Sequence, residues 1–391
     1  MNERREFEKL SLLFPTHSDN IDWGSLEKTI LSSLLLKMKD TPQNPEYHAE
    51  GDVLTHTKMV CEALVKLPEY RASNEKDKEI LFLAALLHDI GKARCTVIEN
   101  GKIRSPHHAA VGANMARELF FRELGLSGDY ESCQLREAVC TLIRYHSFPP
   151  YAVSDKIPEY KMLKIAAQGE LATGFSISKL CMLEKADVLG RACSDGAETL
   201  EKIELCRMLS EEIGCDNAPY PFADDFSKRA YFRKKTNWRD QSLYNDSWGE
   251  VIMMSGLPGT GKDTWIAKNC PDLPMISLDE IRAELKILPT DNQGRVIALA
   301  HERAREYLRR RQPFVWNATS ITSQIRAMQI SLFEEYGASV KTVFLETSWN
   351  EELRRNSERK REVPEAAIER MLSKLEPPER HESENVVWES V

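Results

Sequence analysis

Met254-Ser255-Gly256-Leu257-Pro258-Gly259-Thr260-Gly261-Lys262-Asp263-Thr264 follows the apolar run Val251-Ile252-Met253 and precedes Trp265-Ile266. A Gly-x4-Gly-Lys stretch between a buried strand and a helix is the context of a phosphate-binding loop. Its glycines let backbone N–H groups curl round an anion with no Cβ in the way. The helix that follows adds its partly positive N-terminus. Lys262 is placed to reach the β/γ phosphates of ATP or another nucleoside triphosphate. Gly256, Pro258, Gly259, Thr260, Gly261, Asp263 and Thr264 complete the expected nucleotide contact. Ser or Thr usually follows the lysine and binds Mg2+; here Asp263 stands in that place. Either its carboxylate serves as a hard ligand, or Thr264 supplies the hydroxyl one place later.

Downstream, strands alternate with helical stretches. Val251–Ser255, Met275–Leu278, Phe314–Asn317 and Val340–Leu345 read as strands. Thr264–Lys268, Val296–Arg311 and Gln324–Tyr336 read as helices. This predicts an α/β domain over 249–391 with a parallel sheet covered on both faces. Ser277-Leu278-Asp279-Glu280-Ile281-Arg282 lies at the end of the second strand, where such sheets place ligands. Asp279 is the candidate base for an attacking hydroxyl. Arg282, three places on, shares its helical face and is a candidate phosphate contact. The dense run Arg354-Arg355-Asn356-Ser357-Glu358-Arg359-Lys360-Arg361 is either a solvated helix face or a lid over the transferring phosphoryl.

Upstream, from about Asp22 to Arg207, apolar residues recur at helical spacing, as in Ile80, Leu83, Ala84 and Leu87. The region 1–207 therefore reads as an all-α domain. It carries a second set of chemistry-bearing residues: His56, the run Leu87-His88-Asp89-Ile90-Gly91-Lys92, His107-His108, His146 and Asp187. Imidazole suits transition metals and carboxylate suits Mn and Mg, so the mixture predicts a divalent transition metal. Between the domains, 208–248 lacks a clean period and reads as a connector with a short helix. Its basic, aromatic part, Lys228–Arg239, suits either RNA contact or a packed structural role.

The 391 residues, net charge of −8 and hydrophobic content of 42% fit two domains with real cores, and they exclude a globally basic nucleic-acid binder. Nine cysteines without Cys-x-x-Cys spacing argue for reduced thiols in a cytoplasmic protein. The charged start Met-Asn-Glu-Arg-Arg has no signal-peptide core. No run approaches the roughly 20 apolar residues that cross a bilayer, so no membrane role is expected.

Residues 251–378 resemble the polynucleotide 5′-kinase family, through Gly-Leu-Pro-Gly-Thr-Gly-Lys, Ser277-x-Asp279-x-x-Arg282, Asn317-Ala318-Thr319, and Arg355-Asn356-Ser357-x-Arg359 before Val363-Pro364. The resemblance implies that Asp279 is the general base for a 5′-OH. It implies that Arg282 holds the phosphate 3′ to the reacting nucleoside, and that Arg355 and Arg359 cover the ATP phosphates, with Mg2+ as the metal. The helical region resembles the HD phosphohydrolase superfamily. That implies one metal site from His56, His88, Asp89 and Asp187. Asp89 would bridge to a second metal on His108 and His146, with His107 as an alternative to His108. Lys92 would steady a phosphate oxygen or an attacking water. Ala109 and Ser147 stand where many HD proteins have Glu and His, departures that predict one tight metal and a weaker second.

Together, with Pro221-Phe222-Ala223-Asp224-Asp225 between them, the halves resemble bacterial bifunctional RNA-end-healing enzymes. The resemblance implies phosphorylation of 5′-OH ends of RNA or DNA. It also implies removal of 2′,3′-cyclic, 2′- or 3′-phosphate and a functional link to an RNA ligase. The rivals are a small-molecule kinase fused to a nucleotide phosphohydrolase, and a non-catalytic ATP-driven switch.

Overall fold

A computed structural model describes residues 4–359 and 361–391. The chain divides into two compact units, Met1–Tyr220 and Pro221–Val391.

The first unit is helical. Its central helix, Glu75–Leu87, starts at an Asn74 cap and buries every residue from Ile80 to Leu87. Its charged start, Glu75–Glu79, gives way to a run apolar on all sides that sits inside the core, and this run delivers His88 and Asp89 at the C-terminal end. Around it stand Val53–Leu64, capped by Asp52, and Tyr130–Tyr145, capped by Asp129. Ile177–Leu189, capped by Ser176, joins them, as does His108–Arg122. The all-α expectation needs one correction. Strands β1 (Val97–Glu99) and β2 (Lys102–Arg104) form an antiparallel hairpin. Asn100 and Gly101 turn it, both at positive φ, which is the Asn-Gly hairpin signal.

The second unit holds a sheet of β3 (Glu250–Ser255), β4 (Met275–Ser277), β5 (Val315–Asn317), β6 (Ser339–Glu346) and β7 (Asn385–Ser390). The order is β4-β5-β3-β6-β7 and every pairing is parallel. Side chains of β3 alternate between the faces. Val251 and Met253 pack under Gly294–Arg309 and Ser323–Glu335; Ile252 and Met254 pack under Lys262–Asn269. Burial on both faces explains the unbroken apolar run that opens the phosphate-loop motif. β7 is a fifth strand not expected from the sequence.

The stretch 208–248 falls to both units. Its first residues complete the helix Gly196–Ile213, and residues from Pro221 belong to the second unit. The helix Asp225–Phe232 buries Lys228, Tyr231 and Phe232. Arg229 makes a two-pronged pair with Glu334, at 2.8 and 2.9 Å. The packed, structural role is the one these residues take; Trp238 stays exposed.

Candidate active sites

In the helical unit the sequence-predicted ligands converge from five separate segments. His56 and His88 face each other with Nε2 atoms 3.4 Å apart. His56 Nε2 lies 2.9 Å from Asp187 Oδ1. Asp89 turns Oδ2 toward His88 Nε2 (3.3 Å), and Oδ1 toward His108 Nε2 (3.4 Å) and His146 Nε2 (3.9 Å). His108 and His146 in turn stand 3.3 Å apart, Nε2 to Nε2. The expected ligands fall into two groups, His56/His88/Asp187 and Asp89/His108/His146, with Asp89 between them, and His48 and Glu50 form a third with His56. His107 adopts a left-handed backbone and is exposed, so His108 is the one that enters the cluster.

The local backbone fixes which nitrogen points inward. His88, His108 and His146 each place Nδ1 on the carbonyl three residues earlier: Ala85 at 2.8 Å, Ser105 at 3.0 Å and Ile143 at 2.8 Å. A carbonyl only accepts, so Nδ1 carries the hydrogen and Nε2 offers its lone pair to the centre. The facing lone pairs of His108 and His146, 3.3 Å apart, repel unless a cation lies between them. Asp89 Oδ1 and Asp187 Oδ1 are buried without a hydrogen-bond partner among the described residues. Buried carboxylates without partners are costly, and the donor set fits a divalent metal in each group. Burial and the neighbouring rings push His146 down to about 4. At His56, burial is outweighed by Asp187 and Glu50, which raise it to about 9. The carboxylates that favour a proton there favour a metal ion equally.

Gly91 explains why the helix after His88-Asp89 can sit so close to His108. A Cβ on Gly91 would stand 2.0 Å from the His108 carbonyl oxygen and 2.7 Å from the Gly112 nitrogen. Lys92 does not stand free beside the cluster: its Nζ lies 2.6 Å from Asp89 Oδ2 and 2.7 Å from Gln43 Oε1. Gln43 and Glu50 lie outside the expected site, and both come from the loop before the helix Val53–Leu64.

In the α/β unit, Gly256, Gly259 and Gly261 all have positive φ, at 140°, 94° and 84°. A Cβ on Gly256 would also strike the Leu345 carbonyl at 2.5 Å. The loop is pinned by Gly256 N–H donating to Thr319 (2.9 Å) and Thr260 Oγ1 donating to Leu257 (2.9 Å). Lys262 Nζ donates to the Gly256 and Leu257 carbonyls at 2.9 and 2.6 Å. Burial, with help from Arg359, lowers it to about 8. Pro258 is buried in the loop, while Asp263 and Thr264 open the next helix in exposed positions. Asp263 Oδ1 accepts from Asn317 Nδ2 at 2.7 Å. Asn317 is the last residue of β5 and pairs in register with Ser277 of β4. The Asp263 carboxylate is thereby tied to the strand end beside which Asp279 begins its helix.

Asp279 and Arg282 pair with each other, and Arg282 Nε also donates to Gln293 Oε1 at 2.8 Å. Arg355 leans over the loop: a Cβ on Gly261 would meet its Nη1 at 3.5 Å. Glu351 and the Val391 carbonyl hold it, at 2.6 and 3.2 Å. Asn356 braces this segment by bonding Val363 twice, at 2.8 and 3.1 Å. Lys360 lies outside the described residues. Glu352, which reads in sequence as one more surface charge, is fully buried against Gly259. Neither of its carboxylate oxygens has a hydrogen-bond partner among the described residues. Burial raises its carboxyl to about 8.

A family model described as an HD domain matches residues 53–170, and one described as an AAA domain matches residues 251–378. No curated protein matches the chain. Among solved structures, a gluconokinase from Sinorhizobium meliloti 1021 is similar at 23% identity and a TM-score of 0.28, covering 36% of this chain and 83% of that one. Among the described residues no helix is long and apolar enough to cross a membrane, and all nine cysteines are free. The chain thus joins a helical HD domain with a metal-fitting His/Asp cluster to a kinase-like P-loop domain built on a parallel sheet.

Proposed function

We propose that the chain heals broken RNA ends, phosphorylating 5′-OH termini from ATP and hydrolysing terminal 2′,3′-cyclic, 2′- or 3′-phosphate. Its place would then be in the cytoplasm, ahead of an RNA ligase that needs both ends prepared. The observation that carries this reading is the Asp279–Arg282 pair at the carboxyl end of β4. Arg282 is bonded to Asp279 and Gln293, neither of them in the nucleotide loop. Lys262, Arg355 and Arg359 already supply cations for the ATP phosphates. Arg282, paired outside the nucleotide loop, is the cation this reading assigns to an acceptor phosphate.

The pairing suggests how the acceptor is readied. An internucleotide phosphate arriving at Arg282 competes with Asp279 for the guanidinium. Asp279 released from that pair is a free carboxylate within one helical turn of the bound phosphate, placed to take the 5′-OH proton. Lys262 exchanges two neutral carbonyls for phosphate oxygens, a stronger charge-assisted contact. Asp263, oriented by Asn317, or Thr264 beside it would hold the Mg2+ that accompanies ATP.

In the helical unit, His56, His88, Asp187, Asp89, His108 and His146 would hold the metals. When bound, a metal pair acidifies a water and draws charge from a phosphate. Lys92, anchored by Gln43 and Asp89, places a fixed positive charge at the edge of that centre.

The test is one incubation of the protein with ATP and a 5′-OH RNA oligomer ending in 2′,3′-cyclic phosphate, following both ends. The reading expects both ends to change, and Arg282→Ala to lose on the order of 1.5–3 kcal/mol of transition-state binding. That is roughly ten- to a hundredfold in kcat/KM for the oligomer, with ATP affinity nearly unchanged. On a plain nucleoside the variant should match the wild type. An equal penalty on both acceptors would sink the polynucleotide reading and leave a metabolite kinase.

A further inference from the structure

The HD match begins at residue 53, yet the loop before it reaches the metal-fitting cluster twice. Thr41–Asp52 is folded back on itself: Pro42 and Asp52 form an antiparallel bridge, and the Gln43 N–H donates to the Gly51 carbonyl at 3.0 Å. Gly51, at φ 108°, makes the turn that an L side chain would resist. One arm of the loop is Gln43, whose Oε1 holds Lys92 at 2.7 Å. The other is Glu50. Its side chain is 3% exposed, and its Oε1 lies 2.9 Å from both His56 Nδ1 and His48 Nδ1. Its Oε2 accepts the Ala192 N–H at 3.1 Å, and the Ala49 N–H donates back to the Ala192 carbonyl at 3.2 Å.

Two features set Glu50 apart from an ordinary buried acid. His56 is the one ligand histidine whose Nδ1 meets no backbone carbonyl three residues earlier; the other three each have one. Glu50 stands where that carbonyl would otherwise be. The approach is oblique to the ring N–H, without hydrogen-bond geometry, so its pull on His56 is chiefly that of a buried negative charge at short range. Ala192 follows, by a few residues, the helix that carries Asp187. Glu50 therefore touches the elements that supply two ligands of the same group.

We propose that Glu50 is a positioning residue of the metal centre, holding His56 with Nε2 turned inward and tying its helix to the Asp187 segment. The inference rests on the reading that the His/Asp cluster binds a divalent metal. A carboxylate behind a ligand histidine fixes the ring and raises its basicity, and its loss typically weakens metal affinity about 10- to 100-fold. His48 shares the same carboxylate oxygen and forms, with Glu50 and His56, a third group close enough to hold a metal, so replacing it separates a Glu50 that acts on His56 from a Glu50 that is itself a ligand beside His48.

The experiment uses the full chain, stripped with chelator and titrated calorimetrically with Mn2+ and with Co2+, the Co2+ absorption spectrum being recorded at saturation. Unfolding of the stripped proteins is followed alongside. Glu50→Gln keeps the size and removes the charge. It is expected to weaken the tighter metal about 10- to 100-fold and to alter the Co2+ spectrum, with the metal-free unfolding midpoint unchanged. His48→Ala is expected to bind close to wild type. Glu50→Gln binding as tightly as wild type overturns the proposal. So does an equal loss in His48→Ala, which would assign the effect to metal held by His48, Glu50 and His56 themselves or to loop packing. Wild type that binds neither ion removes the metal reading itself, and with it this inference.

Discussion

Gly91→Ala should disable the HD cluster without touching any ligand. The backbone at Gly91 is right-handed, at φ −63° and ψ −26°, so alanine is conformationally welcome there. By reducing the freedom of the unfolded chain it would gain about 0.4–1 kcal/mol at a site with room. This site has none. The new Cβ would lie 2.0 Å from the carbonyl oxygen of His108, and relief to an ordinary 3.4 Å contact takes a shift of about 1.4 Å in backbone, not in a flexible side-chain end. Metal–ligand distances tolerate about 0.2 Å. A His108 helix displaced several times that far cannot keep its nitrogen in the group with Asp89 and His146.

Overpacking of this kind costs about 1–3 kcal/mol, so the fold should survive while the second metal is lost. The assay is metal content after dialysis, with cyclic-phosphate hydrolysis and 5′ phosphorylation measured in parallel. Hydrolysis should fall by two orders of magnitude or so, the scale set by about 2.7 kcal/mol of transition-state stabilisation. Phosphorylation, on the other unit, should hold. Two further glycines grade the effect. Gly112→Ala meets Gly91 N at 3.2 Å and should be milder; Gly196→Ala, whose nearest atom is at 3.8 Å, should be harmless. If Gly91→Ala keeps its full metal content and hydrolyses within a fewfold of wild type, the close helix approach is not what builds the site.

Lys262→Ala should abolish 5′ phosphorylation and leave hydrolysis intact, since the loop and the metal cluster lie in separate compact units; retained kinase activity would refute the loop assignment. Glu137 is fully buried between Arg117 (2.8–3.1 Å) and Arg136 (2.8 Å). Glu137→Ala removes the carboxylate that both buried arginines share and should cost the helical unit about 3–5 kcal/mol, read by denaturant unfolding. Burial works against this carboxylate's charge, but the two arginines hold it down at about 2 against an ordinary 4.5. A folded value below the unfolded one means the contribution is present above pH 4.5 and fades as pH falls toward 2. A wild-type stability flat through that window would show that Glu137 is not held ionised.

Residue type and spacing made the phosphate loop legible, because glycines flanked by a buried strand and a helix have few other uses. The HD ligands were legible for a similar reason: a His-Asp dipeptide directly after the apolar run Ile80–Leu87 is costly unless something binds it. The parts that escaped depend on tertiary neighbours. Glu50 is a lone acid in a loop, and only the fold brings it to His56. Glu352 lies in Trp349-Asn-Glu-Glu-Leu-Arg-Arg, a stretch whose charges look solvated, yet packing against Gly259 buries it. Strand β7 is a short Val-Val-Trp run at a sheet edge, with no following helix to mark it. The β1–β2 hairpin is different. Asn100-Gly101 between Val97-Ile98 and Ile103 states it locally, but the helical periodicity on either side is so dominant that the turn reads as a loop.

A kinase and a phosphohydrolase in one chain oppose each other if they share a substrate, for the pair would then do nothing but consume ATP. Joining them makes chemical sense only if the phosphate that one site adds is not the phosphate that the other removes. A metal cluster does not supply that distinction, since its charge attracts any phosphate oxygen. Nor does Lys92, which Asp89 and Gln43 already hold in place. On the kinase side the proposed role of Arg282 would supply it: a grip on the phosphate on the 3′ side of the acceptor nucleoside would define a 5′ end. On the hydrolase side it must come from the walls that admit the sugar, where a terminal 2′- or 3′-phosphate differs from a 5′-phosphate by its place on the ring. That requirement is what the doubly followed oligomer measures, because a chain acting on both ends of one strand leaves the 5′-phosphate standing while the 3′ end is cleared.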